Sequence, residues 1–324
     1  MRILITGGAG YIGSNLVDAL LNDGHTVSVV DNLSTGKIAN VQHLLDHERF
    51  RFFNDNILNQ KLMDRLIAGV DQVYHLAAVA GVKHVVSDPL MGIQTNIAGT
   101  EVVLNTARRH WKRTLIASSS EVYGKNPHLP WSEEHDCLVG PTTVSRWSYA
   151  LSKCIDEHCA LAHARDGFPV SIVRYFNSYG PRIDPNGYGS VVARFITQAM
   201  SNQPMTVYGD GSQTRCFTYV ADTVRGTVLA GTVPEAIGKA FNIGADLEMS
   251  ITALAELIRA KIGSDSEIVN VPYQRLFDDQ FEDTPRRVPD VRRATSILGF
   301  RAGTSIEEGL EATIAWFRQT WSGN

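Results

Sequence analysis

Two residues four positions apart, Tyr149 and Lys153, have side chains that can carry out acid–base chemistry. On a helix, this spacing places both side chains on the same face. A lysine ammonium group beside a phenol, together with a cationic ligand close by, favours the phenolate. The pKa of the tyrosine would then fall from about 10 toward neutrality, where a general base works best. The pair alone has little specificity, because tyrosine and lysine are common in helices.

A glycine-rich loop near the start of the chain is a second candidate site. Gly7, Gly10 and Gly13 have the spacing G-x-x-G-x-x-G and lie between a short apolar run and a helical pattern. Glycine permits a tight turn and lets backbone N–H groups approach a pyrophosphate, whose negative charge then meets the N-terminus of the helix. The loop therefore predicts a phosphate-binding turn.

Asp31 ends the next predicted strand. In dinucleotide-binding units, an acidic residue about 20 residues beyond the glycine loop binds the ribose 2′-hydroxyl group. A carboxylate at this place also repels the 2′-phosphate of NADP. The two features together predict an NAD site, and a glycine-rich turn without a ligand is the less favoured alternative.

The elements that must position these residues alternate along the first half of the chain. The predicted strands are Arg2–Thr6, Thr26–Asp31, Arg51–Asn54, Gln72–Leu76, Thr114–Ser118 and Pro169–Tyr175. The predicted helices include Tyr11–Asp23, Leu90–Arg109 and Trp147–Asp166. Such alternation predicts an α/β protein with a Rossmann fold, in which a doubly wound parallel sheet is covered on both faces.

The pattern loosens after Asn177, where Gly180-Pro181, Asp184-Pro185 and Asn186-Gly187 are turn signals. We expect an NAD-binding domain over 1–177, to which a segment of about 219–243 returns. We expect a smaller C-terminal α/β lobe, which would bind the substrate, over 178–218 and 244–324.

Composition excludes several classes of partner. Among 324 residues, 44% are hydrophobic and 20% charged, with a net charge of −4, so no basic field exists to hold nucleic acid. No apolar run is long enough for a signal peptide core or a membrane span. The four cysteines form no C-x-x-C pair, and we interpret them as reduced thiols of a cytoplasmic protein without a metal site.

Further motifs give the chain a family resemblance. It resembles the extended short-chain dehydrogenases/reductases that act as nucleotide-sugar epimerases, dehydratases and decarboxylases. The motifs are the glycine loop at 7–13, Asp31-Asn32-Leu33-Ser34, His75-Leu76-Ala77-Ala78, Asn96, Ser118 to Gly124, Tyr149 with Lys153, Arg174 to Pro181, and Arg215 to Asp222. The resemblance covers nearly the whole chain.

The resemblance implies a role for each catalytic residue. Tyr149 would deprotonate the C4 hydroxyl group of the sugar while a hydride passes from C4 to NAD. Ser119 would hydrogen-bond the same oxygen, and Lys153 would hold the cofactor ribose and lower the pKa of the tyrosine. Ser120 and Glu121 complete the expected catalytic set.

The resemblance also implies binding residues. Those expected at the cofactor are Gly7, Gly10, Tyr11, Ile12, Gly13, Asp31, Asn32, Ser34, Asn56, Ile57, Leu76, Ala77, Ala78, Asn96, Tyr149, Lys153 and Tyr175. Those expected at the substrate are Arg146, Asn177, Arg182, Arg215 and Arg287, of which Asn177 and Arg215 match diphosphate-binding positions. Asn56 departs from most relatives, which have aspartate there, but its amide can still hydrogen-bond adenine.

Two residues should decide how the sugar reacts once C4 is a ketone. Glu121 is a possible general acid or base beside C5 and C6, and the alternative is a carboxylate that only holds its loop. The Arg146-Trp147 pair before the tyrosine resembles the same positions in UDP-glucuronate decarboxylases of the lipid A-modifying type. Arg146 could therefore bind a C6 carboxylate or the pyranose. The alternative is a helix-start arginine paired with a surface acid.

The sequence therefore favours NAD-dependent oxidative decarboxylation of UDP-glucuronate. A nucleotide-sugar 4-epimerase or 4,6-dehydratase is the close alternative. A catalytically silent NAD-binding regulator would lack one of Ser119, Tyr149 or Lys153, and all three are present. By resemblance we also expect a homodimer joined through the helices at 90–109 and 147–166.

Overall fold

The structure, a computed structural model, describes residues 1–81, 88–185, 191–272 and 282–321. Its strands are β1 (Arg2–Thr6), β2 (Thr26–Asp31), β3 (Phe50–Asn54), β4 (Gln72–His75), β5 (Arg113–Ser119), β6 (Val170–Tyr175), β7 (Ser178–Tyr179), β8 (Met205–Tyr208), β9 (Thr214–Cys216), β10 (Thr218–Tyr219), β11 (Ala240–Ile243), β12 (Glu248–Ser250), β13 (Ile268–Val271) and β14 (Arg286–Arg287). Seven of them form one sheet in the order β11-β6-β5-β4-β1-β2-β3, and every neighbouring pair is parallel.

Helices connect these strands. They are α1 (Tyr11–Asn22), α2 (Gln60–Ala68), α3 (Pro89–Arg109), α4 (Trp147–Arg165), α5 (Val191–Met200), α6 (Val220–Thr232), α7 (Ile251–Ile262), α8 (Arg292–Leu298) and α9 (Ile306–Thr320). Local signals fix their ends: the Asp88 side chain accepts the N–H of Met91 at the start of α3, and α7 stops at the left-handed Gly263. Short 3₁₀ turns include Ser120–Tyr123, directly after β5.

Both faces of the main sheet are buried. Successive side chains of a strand point to opposite faces, so Ile3 and Ile5 pack in the cluster that contains residues of α1, α6 and α8. Leu4 packs in the cluster that contains residues of α2, α3 and α4. Burial on both faces explains why the strands appear in the sequence as short, nearly continuous apolar runs.

A further apolar cluster lies outside the main sheet. It combines side chains of α5, α7 and α9, such as Phe195, Leu254 and Leu310. Small sheets accompany it: β8 pairs with β13, β9 lies between β12 and β14, and β7 pairs with β10. Leu298 and Phe300 instead pack in the cluster of the main sheet, although the predicted second lobe included them. The division into two domains stays a prediction.

The Rossmann fold predicted from the sequence is confirmed. The predicted strands and helices are present, with ends that differ by no more than one residue. The edge strand β11 was not predicted, and neither were the two- to four-residue strands after Asn177. In the described part of the chain, no helix is both long enough and apolar enough to cross a membrane.

Candidate active site

The glycine loop joins β1 to α1 in a tight turn. Gly7 has a φ of +72°, in the left-handed region that favours glycine. Its N–H donates to the carbonyl of Val30 at 2.9 Å, and its carbonyl accepts the N–H of Gly10 at 3.1 Å. A Cβ atom on Gly13 would lie 2.2 Å from the Gly7 carbonyl oxygen, so α1 starts in direct backbone contact with the loop.

Asp31 connects this loop to the one after β2. Its carboxylate accepts the N–H of Ala9 and the N–H of Leu33, each at 2.9 Å, and only 7% of the residue is exposed. Burial raises the pKa of the Asp31 carboxyl group, although the two hydrogen bonds oppose the shift. Leu33 has a φ of +59°, so the chain turns sharply beside the acid.

A cleft of about 550 Å³, open to solvent, lies at the carboxyl ends of β1 to β4. The predicted cofactor residues that line it are Gly7, Gly10, Asp31, Asn32, Ser34, Asn56, Ile57, Leu76, Ala77 and Ala78. This is the point where the strand order reverses between β1 and β4, which is where open α/β sheets bind ligands. Glycine backbone, a buried acid and apolar walls fit the pyrophosphate, ribose and rings of NAD.

Other predicted cofactor residues are not among those that line the cleft. Tyr11, Ile12 and Gly13 open α1, and the Tyr11 hydroxyl lies 3.2 Å from that of Ser178. The hydroxyl of Tyr175 lies 2.8 Å from that of Thr227 in α6. Each tyrosine hydroxyl is thus within hydrogen-bond distance of another hydroxyl group, that of Tyr11 just after the glycine loop and that of Tyr175 at the end of β6.

Asn96 of α3 uses its side chain within the protein. Its Oδ1 accepts the N–H of Val79 at 2.7 Å, and its Nδ2 donates to the hydroxyl of Ser152 at 3.2 Å. Thr95, rather than Asn96, lines the described cleft. Asn96 therefore fixes the loop after β4 against the helix that carries Tyr149.

Tyr149 and Lys153 lie on α4, opposite Ser119 at the end of β5. Burial raises the pKa of the Tyr149 phenol, whereas the charge of Lys153 and a hydrogen bond from Ser119 lower it. The net shift from the protein's own groups is upward, because desolvation and the charges of Glu121 and Asp156 penalise the phenolate more than Lys153 and Ser119 stabilise it. The charge of a bound nicotinamide would act in the same direction as Lys153.

Glu121 comes after Ser119 and the buried Ser120 in the 3₁₀ turn beyond β5. Its carboxylate pairs with two guanidinium groups: Arg146 Nη2 lies 3.0 Å from Oε2, and Arg287 Nη1 lies 2.5 Å from Oε1. Burial alone would raise the pKa of Glu121, but the two arginines outweigh it and hold the pKa at about 2. Glu121 is therefore ionised near neutral pH.

Arg146 is not the surface arginine of the alternative interpretation. Its side chain is 4% exposed, pairs with Glu121 and stacks beside Trp147, with 5.3 Å between the guanidinium carbon and the ring centroid. It also donates to the backbone carbonyl of Glu282. The arginine at the start of α4 thus faces the same place as Ser119 and Tyr149.

Adjacent strands bring two further arginines together. β14 pairs with β9 in a register that places Arg287 opposite Arg215. Asp283 lies between them: its Oδ1 is 2.8 Å from Arg215 Nη2, 3.7 Å from Arg287 Nη2 and 3.8 Å from Arg146 Nη1. Arg146, Arg215, Arg287, Glu121 and Asp283 form what we call the arginine cluster.

Asn177 and Arg182 differ in their surroundings. Asn177 has a φ of +29°, and its buried Nδ2 has no hydrogen-bond partner among the described residues, so a donor remains for a ligand. Arg182 instead pairs with Asp18 of α1, with 2.5 Å between Nη2 and Oδ2. Within the described residues, Arg182 makes no ion pair with a member of the arginine cluster.

Besides Asp18, sequence reasoning missed two acids that contact predicted catalytic or arginine-cluster residues. Asp156 lies three residues after Lys153, and its Oδ2 lies 3.1 Å from the lysine Nζ. The helical spacing of 153 and 156 could have revealed this contact. Asp283 lies in a segment without helical or strand periodicity, so only the fold reveals its contacts. Within the described ranges, no group of three or more His, Cys, Asp or Glu residues could hold a metal ion.

A parallel sheet of this order, with a dinucleotide cleft where the order reverses and Tyr149 and Lys153 beside it, defines an extended short-chain dehydrogenase/reductase. The chain belongs to the GDP-mannose 4,6-dehydratase family, whose model matches residues 4–313. The predicted class of enzyme, which modifies nucleotide sugars with NAD, is thereby confirmed.

Individual relatives are similar over nearly the whole chain. The UDP-N-acetyl-alpha-D-glucosaminuronate decarboxylase of Bacillus cytotoxicus is 43% identical over 319 residues, which cover 98% of each chain. UDP-glucuronic acid decarboxylase 1 of Xenopus tropicalis is 40% identical over 98% of this chain and 72% of its own. UDP-glucuronic acid 4-epimerase from Bacillus cereus, solved with UDP-glucuronic acid and NAD, has a TM-score of 0.88 at 32% identity and covers 99% of this chain and 100% of that one.

Proposed function

We propose that this protein oxidatively decarboxylates a UDP-linked sugar acid, either UDP-glucuronate or UDP-N-acetylglucosaminuronate. The observation that carries the proposal is the arginine cluster, in which guanidinium groups from the start of α4, from β9 and from β14 meet around Glu121 and Asp283. Such a cluster suits a substrate with both a diphosphate and a carboxylate, because guanidinium groups bind either anion bidentately. The names of two similar decarboxylases support the same substrate class.

Tyr149 and Ser119 act at the C4 hydroxyl group in this proposal. Tyr149 takes the hydroxyl proton as C4 becomes a ketone, and the Ser119 hydroxyl donates a hydrogen bond to the same oxygen. Lys153 holds the ribose of the cofactor and stabilises the phenolate of Tyr149. When bound, NAD supplies the acceptor for the two electrons that leave C4.

Loss of carbon dioxide becomes possible once C4 is a ketone. The C6 carboxylate is then two bonds from a carbonyl group, so the C5–C6 bond can break while its electron pair moves onto the C4 oxygen. Ser119 and the protonated Tyr149 stabilise the resulting enolate by hydrogen bonds. Arg146 holds the carboxylate before the bond breaks, and C5 afterwards takes a proton.

Glu121 does not suit the role of proton donor. With a pKa held at about 2, it carries a negative charge throughout the neutral range. We propose that it fixes the positions of Arg146 and Arg287 and supports the electrostatics of the site. Asn177, Arg215 and Arg287 would bind the diphosphate, in agreement with the available amide of Asn177.

Product analysis by NMR tests the proposal. The protein would be incubated with UDP-glucuronate and, separately, with UDP-N-acetylglucosaminuronate, each with and without added NAD. A UDP-pentose or 4-keto-pentose product with released carbon dioxide is expected from at least one of them, and the faster of the two identifies the substrate. Tyr149→Phe is the matched control, and it should abolish turnover while NAD still binds.

Other products would identify the alternatives. UDP-galacturonate from UDP-glucuronate would show that the carboxylate is retained and that the protein is a 4-epimerase, as in the solved relative from Bacillus cereus. A 4-keto-6-deoxy product from a neutral nucleotide hexose would show a 4,6-dehydratase. Intact substrates throughout, with NAD bound, would favour the silent regulator.

We further propose a homodimer joined through α3 and α4. These helices expose large apolar side chains: Leu90, Met91 and Ile93 on α3, and Leu151 and Ile155 on α4. A second copy of the same two helices would cover them in a four-helix arrangement. Ile155→Glu should give a monomer by sedimentation; an unchanged sedimentation coefficient would exclude this interface. The cytoplasmic location stays a prediction.

A further inference from the structure

Asp156 is a buried carboxylate that the proposed reaction does not use. It lies one turn beyond Lys153 on α4, and both residues are almost fully buried, at 1% and 2% exposure. Its Oδ2 lies 3.1 Å from the lysine Nζ, whereas its Oδ1 has no hydrogen-bond partner among the described residues. A carboxylate without solvent contributes strongly to the electrostatics of the ammonium group that it contacts.

The elements packed against this pair supply little competing charge. The ring of His75 on β4 lies between Thr6 and Thr100, at 2.7 Å and 3.0 Å from their hydroxyl groups. Burial and the charge of Lys153 lower the pKa of His75 to about 3, so the ring is neutral. Burial raises the pKa of Asp156, although the charge of Lys153 and, more weakly, the Thr100 hydroxyl of α3 oppose the shift.

Neighbouring acids are held by other cations. Glu157 pairs with Arg174 of β6, at 2.6 Å between Oε2 and Nη2, and accepts a hydrogen bond from Ser118 at 2.5 Å. Glu121, at the end of β5, pairs with two arginines. Among the ion pairs of the described residues, the one that Lys153 makes is with Asp156.

We propose that Asp156 is a positioning residue that holds the Lys153 ammonium group and offsets its charge, so that Tyr149 can both take and return a proton in one catalytic cycle. The proposal rests on the acid–base role proposed for Tyr149. A lone ammonium group beside the phenol would favour the phenolate throughout, which serves the oxidation of C4 but weakens the hydrogen bond that the enolate needs. The ionised lysine–aspartate pair has no net charge, so it favours neither the protonated nor the deprotonated form of Tyr149 strongly.

The substitution Asp156→Asn separates charge from shape. Asparagine keeps a carbonyl oxygen for the lysine Nζ but removes the negative charge. Tyr149 then experiences an uncompensated ammonium group, so its phenolate becomes more stable. We expect the pKa of Tyr149 to fall by roughly one pH unit.

Tyrosinate difference absorbance measures this shift without any sugar substrate. The NAD-saturated protein would be titrated, and the signal of Tyr149 isolated by subtracting the titration of Tyr149→Phe, since the chain has 10 tyrosines. The same subtraction, in the Asp156→Asn background, gives the shifted value. Asp166→Asn is the control, because it removes the same charge from an exposed acid at the end of α4, where Asp166 pairs with Arg108.

The outcomes are distinct. A downward shift in Asp156→Asn, with no shift in Asp166→Asn, supports the proposal. An unchanged value would mean that Asp156 carries no charge, and an upward shift would mean that Lys153 loses its proton without Asp156; either result overturns it. Because no sugar is present, the titration remains interpretable even if the proposed decarboxylation is wrong. In an active protein, the acidic limb of kcat/KM should move in the same direction.

Discussion

Around the cofactor cleft, most described polar contacts join backbone groups to each other or to short side chains, whereas around Glu121 they join long charged side chains. Gly7 bonds to Val30 and Gly10, and Asp31 accepts two backbone N–H groups. On the substrate side, Glu121 and Asp283 contact arginines from three separate segments. The two halves of one active site are thus held in position by different interactions.

This difference determines how each half responds to a ligand. A backbone-built cleft keeps its shape, since its geometry depends on the turn itself. The arginine cluster instead depends on ion pairs between long side chains, whose geometry depends on the charge of each partner. Steric changes should therefore damage the cofactor side most, and changes of charge should damage the substrate side most.

The largest effect is expected from Gly13→Ala. The new Cβ atom would lie 2.2 Å from the Gly7 carbonyl oxygen and 2.9 Å from Gly8 Cα, so the loop must move. We expect NAD affinity, measured by calorimetry, to fall by about 100-fold, which corresponds to roughly 2.7 kcal/mol. Gly303→Ala is the control, because its Cβ atom would meet nothing within 4 Å. Unchanged affinity in Gly13→Ala would contradict a rigid, backbone-built cleft.

The next effect tests the substrate side with two neighbouring arginines of β14. Arg287→Met removes a cation from Glu121 and Asp283, and we expect kcat/KM to fall by roughly 50-fold, as for loss of a buried charged contact. Arg286→Met removes an exposed pair with Glu248, and we expect a change of less than about twofold. NAD affinity should stay constant in both. Equal losses in the two variants would show that the cluster does not bind the substrate.

Much of the lining of the cofactor cleft could be predicted from the sequence. Its residues are glycines and short side chains close to strand ends, and their positions depend on local turns between adjacent elements. Asn96 was identified as part of the site, but its contacts with Val79 and Ser152 depend on how α3 packs against α4, which no local pattern specifies.

The substrate side was only partly predictable. Each arginine was identified by its motif, but their convergence depends on the register between β9 and β14, two strands too short to recognise from alternation. The protein's own groups raise the pKa of Tyr149, an effect of burial that cannot be read from the spacing of two residues, and the fall expected with the cofactor bound stays a prediction. Charged side chains far apart in sequence interact only once the fold is complete.

A smaller effect concerns acid stability. Because Glu121 has a lowered pKa in the folded protein, its ionisation stabilises the fold fully above its ordinary pKa of about 4.3, and this contribution is lost as the pH falls toward 2. Glu121→Gln should therefore lower the unfolding free energy at neutral pH by about 2 kcal/mol, measured by urea denaturation. The difference from the unmodified protein should shrink in acid. A constant difference at all pH values would show that shape, rather than charge, makes Glu121 important.

The smallest effect tests the charged group of the cofactor side. Asp31→Asn keeps the size of the side chain, removes the charge that repels a 2′-phosphate and gives up one of the two backbone hydrogen bonds that Asp31 accepts. We expect discrimination between NAD and NADP to fall by about 10-fold, close to 1.4 kcal/mol. Asp46→Asn, an exposed acid outside the residues that line the cleft, removes the same charge and should leave discrimination unchanged. The ratio of the two dissociation constants, measured by calorimetry, checks both. If Asp31→Asn weakened NAD as strongly as Gly13→Ala does, charge would govern the cofactor side as well, and the contrast between the two halves would not hold.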